Sequence, residues 1–213
     1  GIIAQTELAK KLILSSIPNS NVKVIPNPVK KIKQDRRTER ENIILNVGRM
    51  IETKGHEDLL LAFSKLKLPI WKLVILGDGP LRNHLVSVVN RLGIDDKVFF
   101  PGVVKNVDEW LLKASIFAFP SYSEGFPNAL AEALAAGLPC VSFNCDAGPA
   151  DLITDGLNGY LVDVGDIGGM TNRLNKLLVD SNLRAKMGQK AMLVADVLNK
   201  ERIANSFLNF CLP

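Results

Sequence analysis

The sequence predicts an α/β fold, a doubly wound Rossmann-like parallel sheet closed by C-terminal helices, and three observations carry that reading. Short β-rich apolar runs alternate with stretches of helical periodicity through most of the chain. Several of those runs are apolar at successive positions, as in Ile43-Ile44-Leu45 and Leu73-Val74-Ile75-Leu76. A strand buried on both faces reads this way, because in a parallel sheet covered by helices neither side meets water. Glycine then follows strand ends at Gly48, Gly77 and Gly79, where a tight turn or ligand approach requires a missing Cβ.

In chain order, strands are expected over 22–25, 43–47, 72–76, 98–100, 116–119, 140–143 and 160–162. Helices are expected to begin near His56, Leu81, Val107, Pro127 and Pro149. Gly137 followed by Pro139 ends the Pro127 helix, glycine just past the last turn and proline beyond it. From Asp166 the strands give way to two or three helices running to about Phe210.

The composition supports a folded, soluble body. Apolar residues make up 47% of the 213 positions, ample for a core and incompatible with disorder through the body of the chain. The net charge of +4 and pI near 9.0 favour anionic ligands without choosing one. Much of the excess lies in one run, Lys30, Lys31, Lys33, Arg36, Arg37 and Arg40. No aromatic residues interleave these charges to stack on bases, so a solvated loop is expected rather than a nucleic-acid surface. A looser, peripheral contact with anionic lipid headgroups stays open. Cys140, Cys145 and Cys211 form no C-x-x-C pair, and reduced, buried thiols suit a cytoplasmic compartment. No signal peptide or transmembrane run is visible. The chain starts on Gly1 with an apolar triplet, which reads as a piece of something longer.

Ligands of doubly wound sheets lie outside the carboxyl ends of the strands, so the loops after each strand carry the chemistry. The first reads Gly48-Arg49-Met50-Ile51-Glu52-Thr53-Lys54-Gly55 and places two cations between a strand and a helix. A diphosphate needs fixed cations or a metal, and Arg supplies a planar fork where Lys supplies a point charge. For a lone R-x4-K, an ordinary surface turn is the plainer account. A second loop, from Ser121 to Glu132, runs into a helix whose first position suits Pro127. The amides of Asn128, Ala129 and Leu130 are then expected to point out of the helix end, and Phe126 at the cap has no side-chain oxygen to satisfy them. An anion fits there. Glu132 lies far enough into the helix to accept from neutral hydroxyls such as a ribose diol. Glu124 precedes the helix, placed to accept from sugar hydroxyls. Each could equally be a surface charge. No D-x-D pair and no His/Cys constellation occurs, and His56 and His84 stand apart, so neither metal nor cofactor is expected. Gly77-Asp78-Gly79-Pro80 lacks the third glycine of a dinucleotide fingerprint and reads as a tight strand-to-helix turn.

In order and spacing, these pieces resemble the C-terminal domain of retaining glycosyltransferase family 4, also called group 1, one half of a GT-B fold. The resemblance runs through Ile25-Pro26-Asn27-Pro28-Val29, Gly48-Arg49, Lys54-Gly55, Gly77 to Pro80, Pro120-Ser121, the E-x7-E pair Glu124 and Glu132, Gly137-Leu138-Pro139 and Asp155 to Val162. It implies that Arg49 and Lys54, beside Gly48 and Gly79, hold a donor diphosphate. Glu124, with the amides of Gly125 and Phe126, would contact the donor sugar. Glu132 would bind the ribose hydroxyls, and amides near Asn128, Ala129 and Leu130 would meet the distal phosphate. Val103 and Val104 would lie beside the nucleobase. By resemblance, Arg49, Lys54 and Glu124 are the catalytic set, in a front-face transfer with retained configuration and no metal. The likeness to bacterial surface-polysaccharide enzymes points to UDP-linked hexoses or N-acetylhexosamines, with a glycan or lipid-linked acceptor. It further implies that 1–21 is the remnant of an N-terminal acceptor domain and linker, 22–199 the donor-binding domain, and 200–213 a helix packing on the absent half. A cytoplasmic enzyme, at most touching the inner membrane face, follows. A non-catalytic nucleotide-binding module, or another GT-B enzyme such as a sugar-nucleotide epimerase, is the alternative.

Overall fold

The structure, a computed structural model, describes residues 1–32, 39–67 and 70–212, and its strands fall into two sheets. The strands β1 (Ile2–Ala4) and β2 (Val22–Val24), joined through α1 (Glu7–Ser16), pair in parallel only with each other. The run at 22–25, expected as the first strand of the large sheet, therefore belongs outside it. The pattern explains why: Val22 is buried, but Lys23 and Val24 are only half-buried, and a strand covered on both faces needs apolar residues throughout. The boundary drawn between residues 21 and 22 falls between these two paired strands.

Six strands build the large sheet: β3 (Ile43–Val47), β4 (Lys72–Leu76), β5 (Val98–Gly102), β6 (Ile116–Phe119), β7 (Cys140–Phe143) and β8 (Gly159–Val162). All neighbours are parallel, in the order β5-β4-β3-β6-β7-β8. The successive apolar residues do what their pattern required. Ile44 packs into one core with Leu73 and Ile75, while Ile43 and Leu45 enter a second core on the opposite face. The first core is closed by α2 (His56–Ser64), α3 (Arg82–Leu92) and α7 (Ile167–Val179). The second is closed by α4 (Val107–Lys113), α5 (Asn128–Ala135) and α6 (Pro149–Leu152). Helices on both faces make the sheet doubly wound, as expected. Each large aliphatic side chain buried here contributes about 1.5–3 kcal/mol.

The helix α5 ends as its sequence foretold. Gly137 takes a left-handed φ of 74°, its N–H reaches Leu134, and Leu138 reaches back to Ala133. Beyond β8 the chain forms four helices rather than two or three: α7, α8 (Ser181–Ala191), α9 (Val194–Val197) and α10 (Lys200–Cys211). Asp180 separates α7 from α8 by accepting from the Leu183 N–H, and Asn199 caps α10 through the Arg202 N–H. Helix α10 buries none of its residues and leaves Phe207 and Leu208 exposed.

The winding direction reverses between β3 and β6. The chain leaves β3 toward β4 and leaves β6 toward β7, so a crevice opens where their carboxyl ends lie side by side. The loops at that crevice are 48–55 and 120–127.

Candidate functional site

Backbone hydrogen bonds stitch these loops into one surface. The Gly48 N–H donates to Leu76 at 3.0 Å, Met50 to Asp78 at 2.9 Å, Leu81 to Met50 at 3.0 Å, and Tyr122 to Thr53 at 2.8 Å. Two glycines make the close approach possible. Gly55 has φ +60 and a Cβ there would overlap the Pro120 carbonyl, while Gly77 has φ +126 and a Cβ would overlap the Gly48 carbonyl. Gly79 packs against the Met50 backbone, which supports the tight-turn reading of 77–80. Gly48 differs, since the nearest atoms to a Cβ placed on it, His56 Nε2 and the Lys54 stem, are 3.9 Å away. Its open face belongs to the crevice.

The sheet brings the two cations of the first loop to the crevice in different states. Arg49 is exposed, and its side chain has no partner among the described residues. It lines a crevice of about 210 Å³ with Val47, Gly48, Gly77, Val103 and Val104. Lys54 is committed: its Nζ lies 2.5 Å from Glu124 Oε1, with side-chain exposures of 24% and 9%, and 5.9 Å from the Phe119 ring. Glu124 thus faces a cation rather than standing free for hydroxyls. Gly125 beside it is exposed, whereas Phe126 is 7% exposed and packs into the second core.

The start of α5 departs from expectation in one respect. Pro127 is the cap residue and Asn128 the first of the helix, one position later than foreseen. The Asn128 N–H turns back to the Phe126 carbonyl at 2.9 Å, so it is not among the open amides. Those of Ala129 and Leu130 have no acceptor among the described residues, and no side chain caps them. Gly148 admits Pro127 at this corner, where a Cβ would overlap the proline ring.

Glu132 lies exposed on α5, yet the surrounding chain desolvates its carboxyl and, with the Asp108 charge, lifts its pKa above the ordinary value. A carboxyl so placed, with no paired cation among the described residues, accepts from neutral hydroxyls more readily than it tolerates phosphate. Asp108 is itself paired with Lys30 at 2.7 Å.

Two residues at the site carried no assigned role in the sequence. Asn27, inside the Ile25–Val29 stretch, donates to the Asn128 side chain at 2.9 Å. His56 is 2% exposed with both ring nitrogens unpartnered, and burial, with the Lys54 charge, holds its pKa down at about 4. Asn27 entered the sequence reading only as part of a motif and His56 only as a helix start and a histidine standing apart. The folded pKa of His56 lies below the ordinary 6.5, so the unfolded chain binds the extra proton between those values. Stability is therefore fully present above pH 6.5 and is expected to fall by about 3 kcal/mol as pH drops toward 4. Urea unfolding at stepped pH checks this, and a His56→Leu variant should lose that part of the slope.

The described members of the basic run each have a partner. Lys31 pairs with Asp196 at 3.4 Å, and Arg40 donates to the carbonyls of Leu111, Ala114 and Ala136. Lys33, Arg36 and Arg37 lie outside the described residues. Cys140 and Cys145 are buried as expected, but Cys211 is exposed. Among the described residues, no helix is long and apolar enough to cross a membrane.

The sequence profile of the family described as Glycosyl transferases group 1 matches residues 29–193. The chain belongs to this family. Among curated relatives, a Campylobacter jejuni protein is 35% identical over 81% of the chain and 47% of its own length. It is named N-acetylgalactosamine-N,N'-diacetylbacillosaminyl-diphospho-undecaprenol 4-alpha-N-acetylgalactosaminyltransferase. The Escherichia coli lipopolysaccharide 1,6-galactosyltransferase is 35% identical over 80% of the chain and 50% of its own length. The chain thus spans about half the length of these curated relatives. A crystal structure of an S. aureus TarM mutant, in complex with fondaparinux, alpha-GlcNAc-glycerol and UDP, superposes with a TM-score of 0.93 at 26% identity. It covers all of this chain and 44% of TarM. The solved neighbours are GT-B glycosyltransferases, and further curated relatives are named for lipopolysaccharide core biosynthesis and for amylovoran biosynthesis.

Proposed function

We propose that the chain is the donor-binding half of a retaining transferase of the family-4 type. It moves a hexose or N-acetylhexosamine from a UDP-linked donor to a hydroxyl of a glycan or lipid-linked acceptor. The single observation carrying this is the crevice at the reversal of the sheet. It sets the Arg49 guanidinium, without a partner among the described residues, beside the open face of Gly48, with the Lys54 stem 3.9 Å from a Cβ placed there; the amides of Ala129 and Leu130, without an acceptor among the described residues, open at the start of the helix that follows β6, the neighbour of β3. The names of the curated relatives and the UDP in the TarM complex support the same donor chemistry.

On this reading the base rests against Val103 and Val104, and Glu132 accepts from the ribose. Arg49, Lys54 and the two amides surround the diphosphate, with Gly48 leaving it room. Gly79 holds the neighbouring turn. As the bond to the sugar breaks, negative charge grows on the departing diphosphate, and donors fixed before the reaction stabilise it without reorganising. Glu124, with Gly125 and Phe126 beside it, borders the sugar and holds Lys54. The acceptor is bound by parts of the enzyme outside these residues, consistent with relatives about twice as long.

Titration calorimetry with UDP, GDP and ADP tests the proposal. UDP is expected to bind at least about tenfold tighter than GDP, in keeping with the UDP held in the TarM complex. Failure to bind any nucleoside diphosphate would end the reading.

A further inference from the structure

The first residue of α5 is held from outside the large sheet. Gln5, in the turn before α1, donates from Nε2 to Asn27 Oδ1 at 2.6 Å, and Asn27 donates from Nδ2 to Asn128 Oδ1 at 2.9 Å. The three carboxamides form a relay running in one direction, from the β1–β2 unit to the corner of the crevice. A carboxamide has one accepting end and one donating end. With Asn128 Oδ1 accepting from Asn27, the end without a partner among the described residues is Nδ2, which carries two N–H bonds. It stands on the same helical turn as the open amides of Ala129 and Leu130. The N–H groups of this turn without a partner among the described residues are thus the Asn128 Nδ2 and the amides of Ala129 and Leu130.

We propose that Asn128 offers its side-chain Nδ2 to the phosphate nearest the sugar, and that Asn27 is a positioning residue fixing which end of that carboxamide faces the phosphate. The inference rests on the diphosphate reading above. An exposed carboxamide with no such tether turns freely, and would present its oxygen to an anion as readily as its nitrogen. The relay removes that choice. It also makes the donor site sensitive to the seating of the β1–β2 unit, since Gln5 and Asn27 both lie outside the large sheet.

A mere tie between the two parts of the fold would work with the relay in either direction, so the test inverts its polarity. In Asn27→Asp the carboxylate only accepts, and the Asn128 carboxamide must turn its nitrogen toward residue 27 and its oxygen toward the phosphate. UDP and uridine affinities are measured by calorimetry on the 213-residue chain and its variants, with melting curves recorded for each. Asn128→Ala, at an exposed position, is expected to weaken UDP about tenfold, a charge-assisted hydrogen bond lost, and to leave uridine within about twofold. Asn27→Asp is expected to weaken UDP by about thirtyfold. The double variant Asn27→Asp/Asn128→Ala separates this from simple charge repulsion. If the carboxylate introduced at position 27 acts through Asn128, the double variant binds UDP as Asn128→Ala does. An Asn27→Asp penalty that persists undiminished in the double variant would overturn the relay, as would UDP affinity unaltered in Asn128→Ala. Should Asn27→Asp not fold, the Asn128→Ala comparison of UDP with uridine decides alone. No UDP binding by the unsubstituted chain would sink the diphosphate reading itself, and this inference with it.

Discussion

Arg49→Ala is expected to weaken UDP binding about 100-fold while leaving the melting temperature unchanged. Both halves follow from one fact, that the Arg49 side chain is exposed and has no partner among the described residues. Removing it breaks no contact of the fold and leaves no charge behind unpaired. What disappears is a planar fork whose parallel N–H bonds match the oxygens of a phosphate. Arg49→Lys restores the charge but not the fork, and should recover only about a tenth of the loss. Uridine, which lacks phosphates, should bind the Ala variant almost as well as the unsubstituted chain. On the proposed function, transfer by the complete enzyme should slow as well, because the same guanidinium would face the charge of the leaving diphosphate. Calorimetry with UDP and uridine, beside thermal melts, reads each arm. An Arg49→Ala chain that binds UDP normally would remove Arg49 from the grip.

The fold was legible wherever burial on both faces left a continuous apolar run. Ile43 to Leu45 and Leu73 to Leu76 had to be strands of a covered sheet, because no amphipathic element reads that way. The short run at Val22 was not legible to the same depth. Three residues can announce a strand, but which sheet takes it depends on a partner, Ile2–Ala4, of equal brevity. The C-terminal helices merged for a related reason. Asp180 and Asn199 look like polar positions on a helix face until the caps they form are seen.

The sequence pointed to loops that the sheet sets side by side, because glycine and charge cluster at strand ends, but it could not pair side chains across them. Lys54 and Glu124 are separated by 70 residues, and only the adjacency of β3 and β6 brings them together. The same adjacency buries Glu124, which the sequence left as a loop charge. Asn128 was expected to offer its backbone amide, and that amide turns to Phe126 because the helix begins one residue late. Asn27 carries no residue-level signal, since its partner lies 101 positions away.

The ion pair makes Lys54 a different kind of cation from Arg49, and substitution should expose the difference. Lys54→Met is expected to lower UDP affinity about as much as Arg49→Ala, and also to destabilise the chain by about 3 kcal/mol. Glu124 has a side chain 9% exposed, and its Oε1 lies 2.5 Å from Lys54 Nζ. Without the ammonium, a nearly buried carboxylate is left with no countercharge, and desolvation that the pair had offset acts alone. The double variant Lys54→Met/Glu124→Gln removes both charges while keeping similar volumes. It should regain most of the lost stability, since nothing charged is then stranded, but none of the UDP affinity. Urea unfolding gives the stability of all four proteins, and calorimetry gives their affinity. A Lys54→Met chain as stable as the original would mean that water already solvates Glu124. Recovery of UDP affinity in the double variant would mean that Lys54 serves only to neutralise its neighbour. Separation of the two quantities is what a residue that both holds the loops together and grips a phosphate must show.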